Sequence, residues 1–423
     1  MTVLSRSIVR RNLAAITLLV VVGSLACTET TEPARRYAVL DEVGQSDWQS
    51  VTVGSDHTCG LKTNGDLYCW GDNDQGQAGL AVVDTVCGAA KPFYACALKP
   101  TLVDSSLHFA SISAGANHTC GVTADRRAFC WGANDKGQVS SYSAGGPSLV
   151  EVPAATFGWT QISAGFTHTC AVRTDGALFC WGGDAQGELG NGAIANSLGM
   201  LRVTMPAPVA SVSAGQERTC ARTIAGAVYC WGEIWVDRES GLEMSRQQLR
   251  PQAVPGAPAM SSLSVGPSTT CGAGLTGVGY CWEANSRGQM GVGGDTGSTV
   301  PKAVAAGIGF VQMSVGIVHS CGVATDGAGY CWGDDTFGEL GVRLASLSEI
   351  CGGQALTCST TPRPVFGRQR FIQISAGFGS HVCGVTTQHN LYCWGLGVSG
   401  QRGDGTESYA TSVPTLVAVA GTP

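Results

Sequence analysis

The chain has 423 residues, of which 60 are Gly and 19 are Cys, with 13% charged residues and a net charge of −6. That balance excludes the clustered basic face that a nucleic-acid partner needs. The absence of sustained 3.6-residue periodicity beyond residue 30 excludes a helical bundle. Nineteen cysteines exclude a reducing compartment unless they bind metal, and the spacing contains no CxxC knuckle or His/Cys cluster of the zinc type.

Residues 1–26 read as a signal peptide. Arg6, Arg10 and Arg11 precede an apolar run, Leu13 to Val22, that is too short to span a membrane as a mature helix. Gly-Ser-Leu-Ala-Cys27 resembles a bacterial lipoprotein cleavage site, after which Cys27 carries lipid and anchors the chain to a membrane. The alternative is ordinary cleavage nearby with Cys27 a spare thiol. Setting Cys27 aside leaves 18 cysteines, a number that pairs completely. Residues 27–42 read as a polar tether and 43–421 as the folded body. The expected location is the cell envelope, outside the cytoplasm, at the outer membrane or cell surface.

From Trp48 onward one unit recurs seven times. Each copy has two cysteines ten positions apart with a Trp after the second. The pairs are Cys59/Cys69, Cys120/Cys130, Cys170/Cys180, Cys220/Cys230, Cys271/Cys281, Cys321/Cys331 and Cys383/Cys393. A Gly follows the Trp except in the fifth copy, where Glu283 stands, and a Gly-Gln or Gly-Glu loop comes next except in the fourth. The steps between first cysteines are 61, 50, 50, 51, 50 and 62 residues. The two long steps hold the remaining cysteines, Cys87/Cys96 and Cys351/Cys358, so each insertion brings its own staple.

Within a unit the register follows from the turn. In Cys59–Cys69 a three-residue loop, Thr63-Asn64-Gly65, places Gly65 in the left-handed position of a type I turn with a bulge. Counting back from it sets Cys59 opposite Cys69, as a close pair of an antiparallel ladder. Leu61 and Leu67 share the face of the bridge, and Tyr68 and Trp70 take the other. Arg126 and His389 replace the turn Gly in two copies, which predicts strain there.

Ser163-Ala-Gly-Phe-Thr-His-Thr169, Asp175-Gly176, Trp181-Gly182 and Gly187-Glu-Leu-Gly190 together resemble the regulator of chromosome condensation repeat family. The resemblance covers nearly all of 44–420. It implies an all-β fold, a seven-bladed β-propeller of about 50-residue repeats with four strands per blade. It also implies a binding scaffold, since members include exchange factors for a small GTPase, a secreted β-lactamase inhibitor and interaction modules. Val413-Pro-Thr-Leu-Val-Ala-Val419 is expected to close the ring against strands near residues 37–53.

His57, His118, His168, His319 and His381 share one repeat position. Arg218 and Thr269 interrupt the set, so it reads as architecture rather than a metal ring. The seven repeat tryptophans read as packing, although one plant photoreceptor in the family senses light through tryptophans. Asp72-Asn-Asp-Gln-Gly76 lacks the terminal ligand of a calcium loop and reads as turn chemistry. No catalytic, cofactor-binding or metal-binding residue is singled out, and no enzyme activity is expected. The partner-binding candidates lie where the repeat is broken. They are Phe93 and Tyr94 in the insertion 80–100, the insertion 342–363, and Trp235 and Met244 in the segment 233–244. The expected molecule is a monomeric, membrane-anchored scaffold that binds a protein or surface glycan. The alternatives are a secreted enzyme inhibitor and, behind it, a polysaccharide-acting enzyme or a guanine-nucleotide exchange factor.

Overall fold

The third repeat shows the plan. Its strands Trp159–Ala164, His168–Arg173, Leu178–Gly182 and Ser197–Val203 form one antiparallel sheet in sequence order. Seven such sheets make seven blades, and the first strand of each lines a central channel. This computed structural model describes residues 47–81, 83, 85–87, 94–139, 144–153, 158–237, 243–343, 349–351 and 354–418. The expected signal peptide and tether, Cys27 and Phe93 lie outside the described residues.

The hairpin register has the cysteines face to face in every blade, as in Cys59↔Cys69, flanked by Leu61↔Leu67 and Thr58↔Trp70. The same pairing recurs at Cys120↔Cys130, Cys170↔Cys180, Cys220↔Cys230, Cys271↔Cys281, Cys321↔Cys331 and Cys383↔Cys393. All seven pairs are disulfides with Cα atoms 4.1 Å apart. That is the close, non-hydrogen-bonded kind of cross-strand position. The bridges are buried with their neighbouring aliphatic side chains, so each forms part of the apolar layer between blades. Cys130, Cys180, Cys281, Cys331 and Cys393 are wholly inaccessible and border neither the central channel nor the cavity described below. These cysteines are therefore staples of the scaffold and not a surface that a partner could touch. Their counterpart Cys230 differs in bordering that cavity.

The turn has the expected form. Gly65 sits at φ +89°, and Lys62 O accepts the Gly65 N–H at 2.9 Å. Arg126 and His389 adopt φ of 69° and 62° at the same position, where a Cβ is disfavoured.

The ring does not close by strand exchange. Val413 lies in the strand Ala410–Leu416, which pairs with Leu391–Leu396 of its own blade through Tyr392↔Leu416 and Gly395↔Thr411. The N-terminal strand Trp48–Val53 is the first strand of blade 1 and pairs only with His57–Lys62. The expectation of a shared blade is therefore corrected, because among the described residues each repeat carries all four of its strands and borrows none. Hydrogen bonds between neighbouring blades close the seam instead, including a main-chain bond from the Trp48 N–H to His389 O at 3.1 Å. Gln373 brackets Val51, accepting its N–H at 2.9 Å and donating to its carbonyl at 3.1 Å. Gln161 brackets Val212 of the next blade in the same way, at 2.8 and 3.1 Å. His389 adds a bond to the seam, with Nδ1 2.9 Å from Trp48 O.

Three blades depart from the plan, all between their third and fourth strands. Blade 1 adds Thr85–Cys87 beside its long fourth strand Tyr94–Asp104, and blade 6 adds Glu349–Cys351 beside Gln354–Pro364. Each added strand is a fifth, outer strand stapled to the fourth, by Cys87–Cys96 and Cys351–Cys358. Blade 4 instead lengthens its third and fourth strands into a ribbon, Val228–Asp237 and Glu243–Ala253.

Candidate functional site

Successive blades meet at a repeated node. The main-chain carbonyl of the Gln or Glu in one blade's Gly-Gln loop accepts two hydrogen bonds from the next blade. One comes from the Trp Nε1, at 2.7–3.0 Å in six interfaces. The other comes from a Thr or Ser hydroxyl, at 2.8–2.9 Å in five. In four interfaces the hydroxyl also contacts the His Nε2 of the preceding blade at 2.8 Å, as in His118–Thr169.

The hydroxyl has one hydrogen and gives it to the carbonyl, so the imidazole must donate from Nε2. That tautomer leaves Nδ1 of His57, His118, His168 and His381 buried without a partner. Burial pushes these four imidazoles down to about 3, so they are neutral at physiological pH. His319 faces Val382, which has no hydroxyl, and its Nε2 has no partner among the described residues.

The channel itself is a second repeated ring. Thr52, Ser113, Ser163, Ser213, Ser264, Ser314 and Ser375 each accept a main-chain N–H from the next blade at 2.9–3.2 Å. The hydroxyls are thus committed to joining blades. The Phe166 and Phe378 rings meet edge-on at 6.0 Å. Blades 3 and 7 are not neighbours, so this contact spans the axis and narrows the channel, whose volume is about 140 Å³. Asp72 to Gly76 behaves as a turn, with Asp72 Oδ1 accepting from Asp74 N at 2.9 Å.

The interface between blades 4 and 5 breaks the node. Arg218 occupies the His position, Thr269 replaces the next His, Glu283 replaces the Gly, and blade 4 has no Gly-Gln loop. The structure joins these departures into one unit. Arg218 Nη1 and Glu283 Oε2 form an ion pair whose side chains are 1% and 2% exposed. Thr270 Oγ1 donates to the same Glu283 oxygen at 2.8 Å. A carboxylate therefore receives the hydroxyl that a loop carbonyl receives elsewhere. Burial pushes the Glu283 carboxyl above its ordinary range, against the pull of Arg218 and Thr270. Glu283 also sits at φ 83°, in a conformation its sister positions fill with Gly.

Beside this unit is a cavity of about 260 Å³, walled by Trp282, Glu283 and Thr299 of blade 5 and by Ile234, Arg246 and Gln248 of blade 4. Sequence reasoning noted each departure but not their meeting. The usable signal was that adjacent copies gained opposite charges at positions that are otherwise His and Gly.

The predicted partner-binding residues lie on separate blades. Tyr94 opens the fourth strand of blade 1 opposite Cys87. In blade 4 Trp235 pairs with Ser245 and Val236 with Met244 along the extended ribbon. Among the described residues no group of three or more His, Cys, Asp or Glu is placed to hold a metal ion.

Seven self-contained blades, joined by hydroxyl and indole nodes around a narrowed channel, define an all-β propeller scaffold. The chain carries regulator of chromosome condensation (RCC1) repeats. One RCC1 repeat model matches residues 48–77, 109–138, 159–188 and 371–401, and a second matches 64–122. Protein pim1 of Schizosaccharomyces pombe is 36% identical over 92 residues, 21% of this chain and 16% of that protein's length. Human WBSCR16 superposes with a TM-score of 0.71 at 18% identity, over 85% of this chain and 95% of that one. Yeast RCC1 (Prp20) bound to Kap60 gives 0.71 at 19% identity, covering 93% and 91%. Saccharomyces cerevisiae Prp20p, described with its binding properties to Gsp1p and histones, gives 0.70 at 20% identity, covering 89% of each chain.

Proposed function

We propose that this propeller is an extracytoplasmic, lipid-anchored scaffold that binds a protein or surface glycan and performs no catalysis. The observation that carries the reading is the common placement of the three departures. All lie between the third and fourth strands of their blades, and two are stapled by private disulfides. Stapling a ribbon that adds nothing to blade closure holds a surface in shape, which lowers the ordering cost of binding. Nine buried disulfides support export to an oxidising compartment. Export would separate the chain from a cytosolic GTPase, so the nucleotide exchange implied by the family resemblance is the lesser reading.

Two measurements test the proposal. Labelled palmitate should enter the wild-type chain and not Cys27→Ala, and the wild type should fractionate with envelope membranes. Cross-linking capture on intact cells should recover one set of partners that is lost on Trp235→Ala or on removal of residues 84–95 with Cys96→Ser. That boundary spares the rest of the fourth strand of blade 1. Unchanged capture by both variants would remove the ribbons from the binding surface.

A further inference from the structure

We propose that the cavity between blades 4 and 5 is a peptide socket. It accepts a short Gly-Gln/Glu-x-Gly-like loop from a partner chain, which presents a main-chain carbonyl to the Trp282 indole.

In the other six interfaces the loop of the preceding blade makes two contacts. Its Gln or Glu carbonyl accepts from the Trp Nε1 at 2.7–3.0 Å. Its first Gly lies against the residue that opens the bulge of the next blade's fourth strand. A Cβ added to Gly137, Gly187 or Gly400 would meet Leu198, Leu249 or Leu98 within 2.7 Å. In five interfaces a second Gly covers the indole N–H edge, and a Cβ there would lie 2.6–2.9 Å from Nε1 of Trp131, Trp231, Trp332, Trp394 or Trp70.

Blade 4 supplies none of this. Its chain runs from Gly232 straight into the ribbon. Among the described residues Trp282 Nε1 has no acceptor and no glycine covers its indole. Thr299, the counterpart of Leu198 and Leu249, lines the cavity. The vacancy has therefore kept the donor and the receiving wall of the repeat while losing the loop. Because Glu283 takes the Thr270 hydroxyl, the node is stable without the loop, and an occupant need satisfy only the indole. A carbonyl acceptor flanked by residues without side chains matches this chemistry. The repeat already uses such a segment five times, and a sixth loop keeps its first Gly.

The socket deepens the binding-scaffold reading but is tested apart from the ribbons and the anchor. The full chain labelled with 5-fluorotryptophan is titrated with a synthetic peptide of residues 184–192, the loop of blade 3, and read by fluorine NMR. Trp282→Phe assigns the resonance by its disappearance. The expected result is a saturable shift of the Trp282 signal, with the other six repeat tryptophans unmoved. Replacing residues 233–253 by 183–202 supplies the loop within the chain and should abolish the response to added peptide. A Trp282 signal that does not move would overturn the socket. So would an equal shift in the replaced chain, which would locate the peptide elsewhere. An equal shift by a scrambled peptide of the same composition would overturn the loop as the recognised shape.

Discussion

Replacing His118 by Gln should change how stability depends on pH while leaving the blade interface intact. Gln offers an N–H to Thr169 in place of Nε2 and has no titration. In the folded chain the His118 imidazole is held at about 3 by burial, with His57 adding to the effect, against an ordinary value of 6.5. A base whose folded pKa is depressed gives stability that is complete above the unfolded value. That stability is lost as pH falls from 6.5 toward 3, because the unfolded chain takes up the proton first. At pH 5 the unfolded imidazole is about 1.5 units below its pKa and the folded one is still neutral. The loss is then about 2 kcal/mol, against a few tenths at pH 7. The assay is urea unfolding of both chains, disulfides intact, at pH 7.5 and 5.0. Wild type should lose about 2 kcal/mol relative to His118→Gln across that interval. The paired comparison is needed because burial pushes Glu339 up to about 8 and Asp335 up to about 7, and these carboxyls favour the folded state as pH falls. A wild-type-to-variant difference constant to within about 0.5 kcal/mol would refute the neutral assignment of the buried imidazole.

Arg218→Ala leaves the Glu283 carboxylate buried with only Thr270 as partner, and should cost about 3–5 kcal/mol by urea unfolding. Arg126→Gly relieves a left-handed Cβ and should stabilise by up to about 1 kcal/mol. His389→Gly relieves the same strain but deletes the bond to Trp48 O across the seam, so its melting temperature should not rise; equal gains in both variants would deny that bond a role. Trp231→Phe removes the indole bond to Glu188 O and should cost about 1 kcal/mol more than Trp282→Phe, which removes none. Equal losses in the two would mean that Trp282 is already satisfied.

Much of the architecture was legible because a repeat states its own rule several times. The turn residues set the hairpin register, and that register alone puts Cys59 against Cys69, as the strands pair. Ring closure was misread for a local reason. The pattern around Val413 matches a fourth strand in any blade, and it does not say whether that strand pairs at home or across the seam. The Arg218–Glu283 unit was illegible for another reason. Its members are 65 positions apart in adjacent copies and meet only because neighbouring blades pack face to face, which brings Arg218 of one second strand to Glu283 at the end of the next blade's third strand. The vacancy over Trp282 is harder still to see in sequence, because it is the loss of a loop in one blade that leaves a tryptophan uncovered in another.

The hydrogen-bonded seam between blades 7 and 1 has a consequence for how this chain can be cut and rejoined. Propellers that share a blade between their two ends depend on where the chain starts. Here Gln373 holds Val51 with the same pair of bonds by which Gln161 holds Val212. The ring therefore has no privileged origin. A circular permutant that joins residues near 418 to residues near 47 by a short linker, and opens between any two blades, should fold to the same propeller with the same nine bridges, as non-reducing peptide mapping would read. Each bridge closes within a single blade, so moving the ends separates no cysteine from its partner.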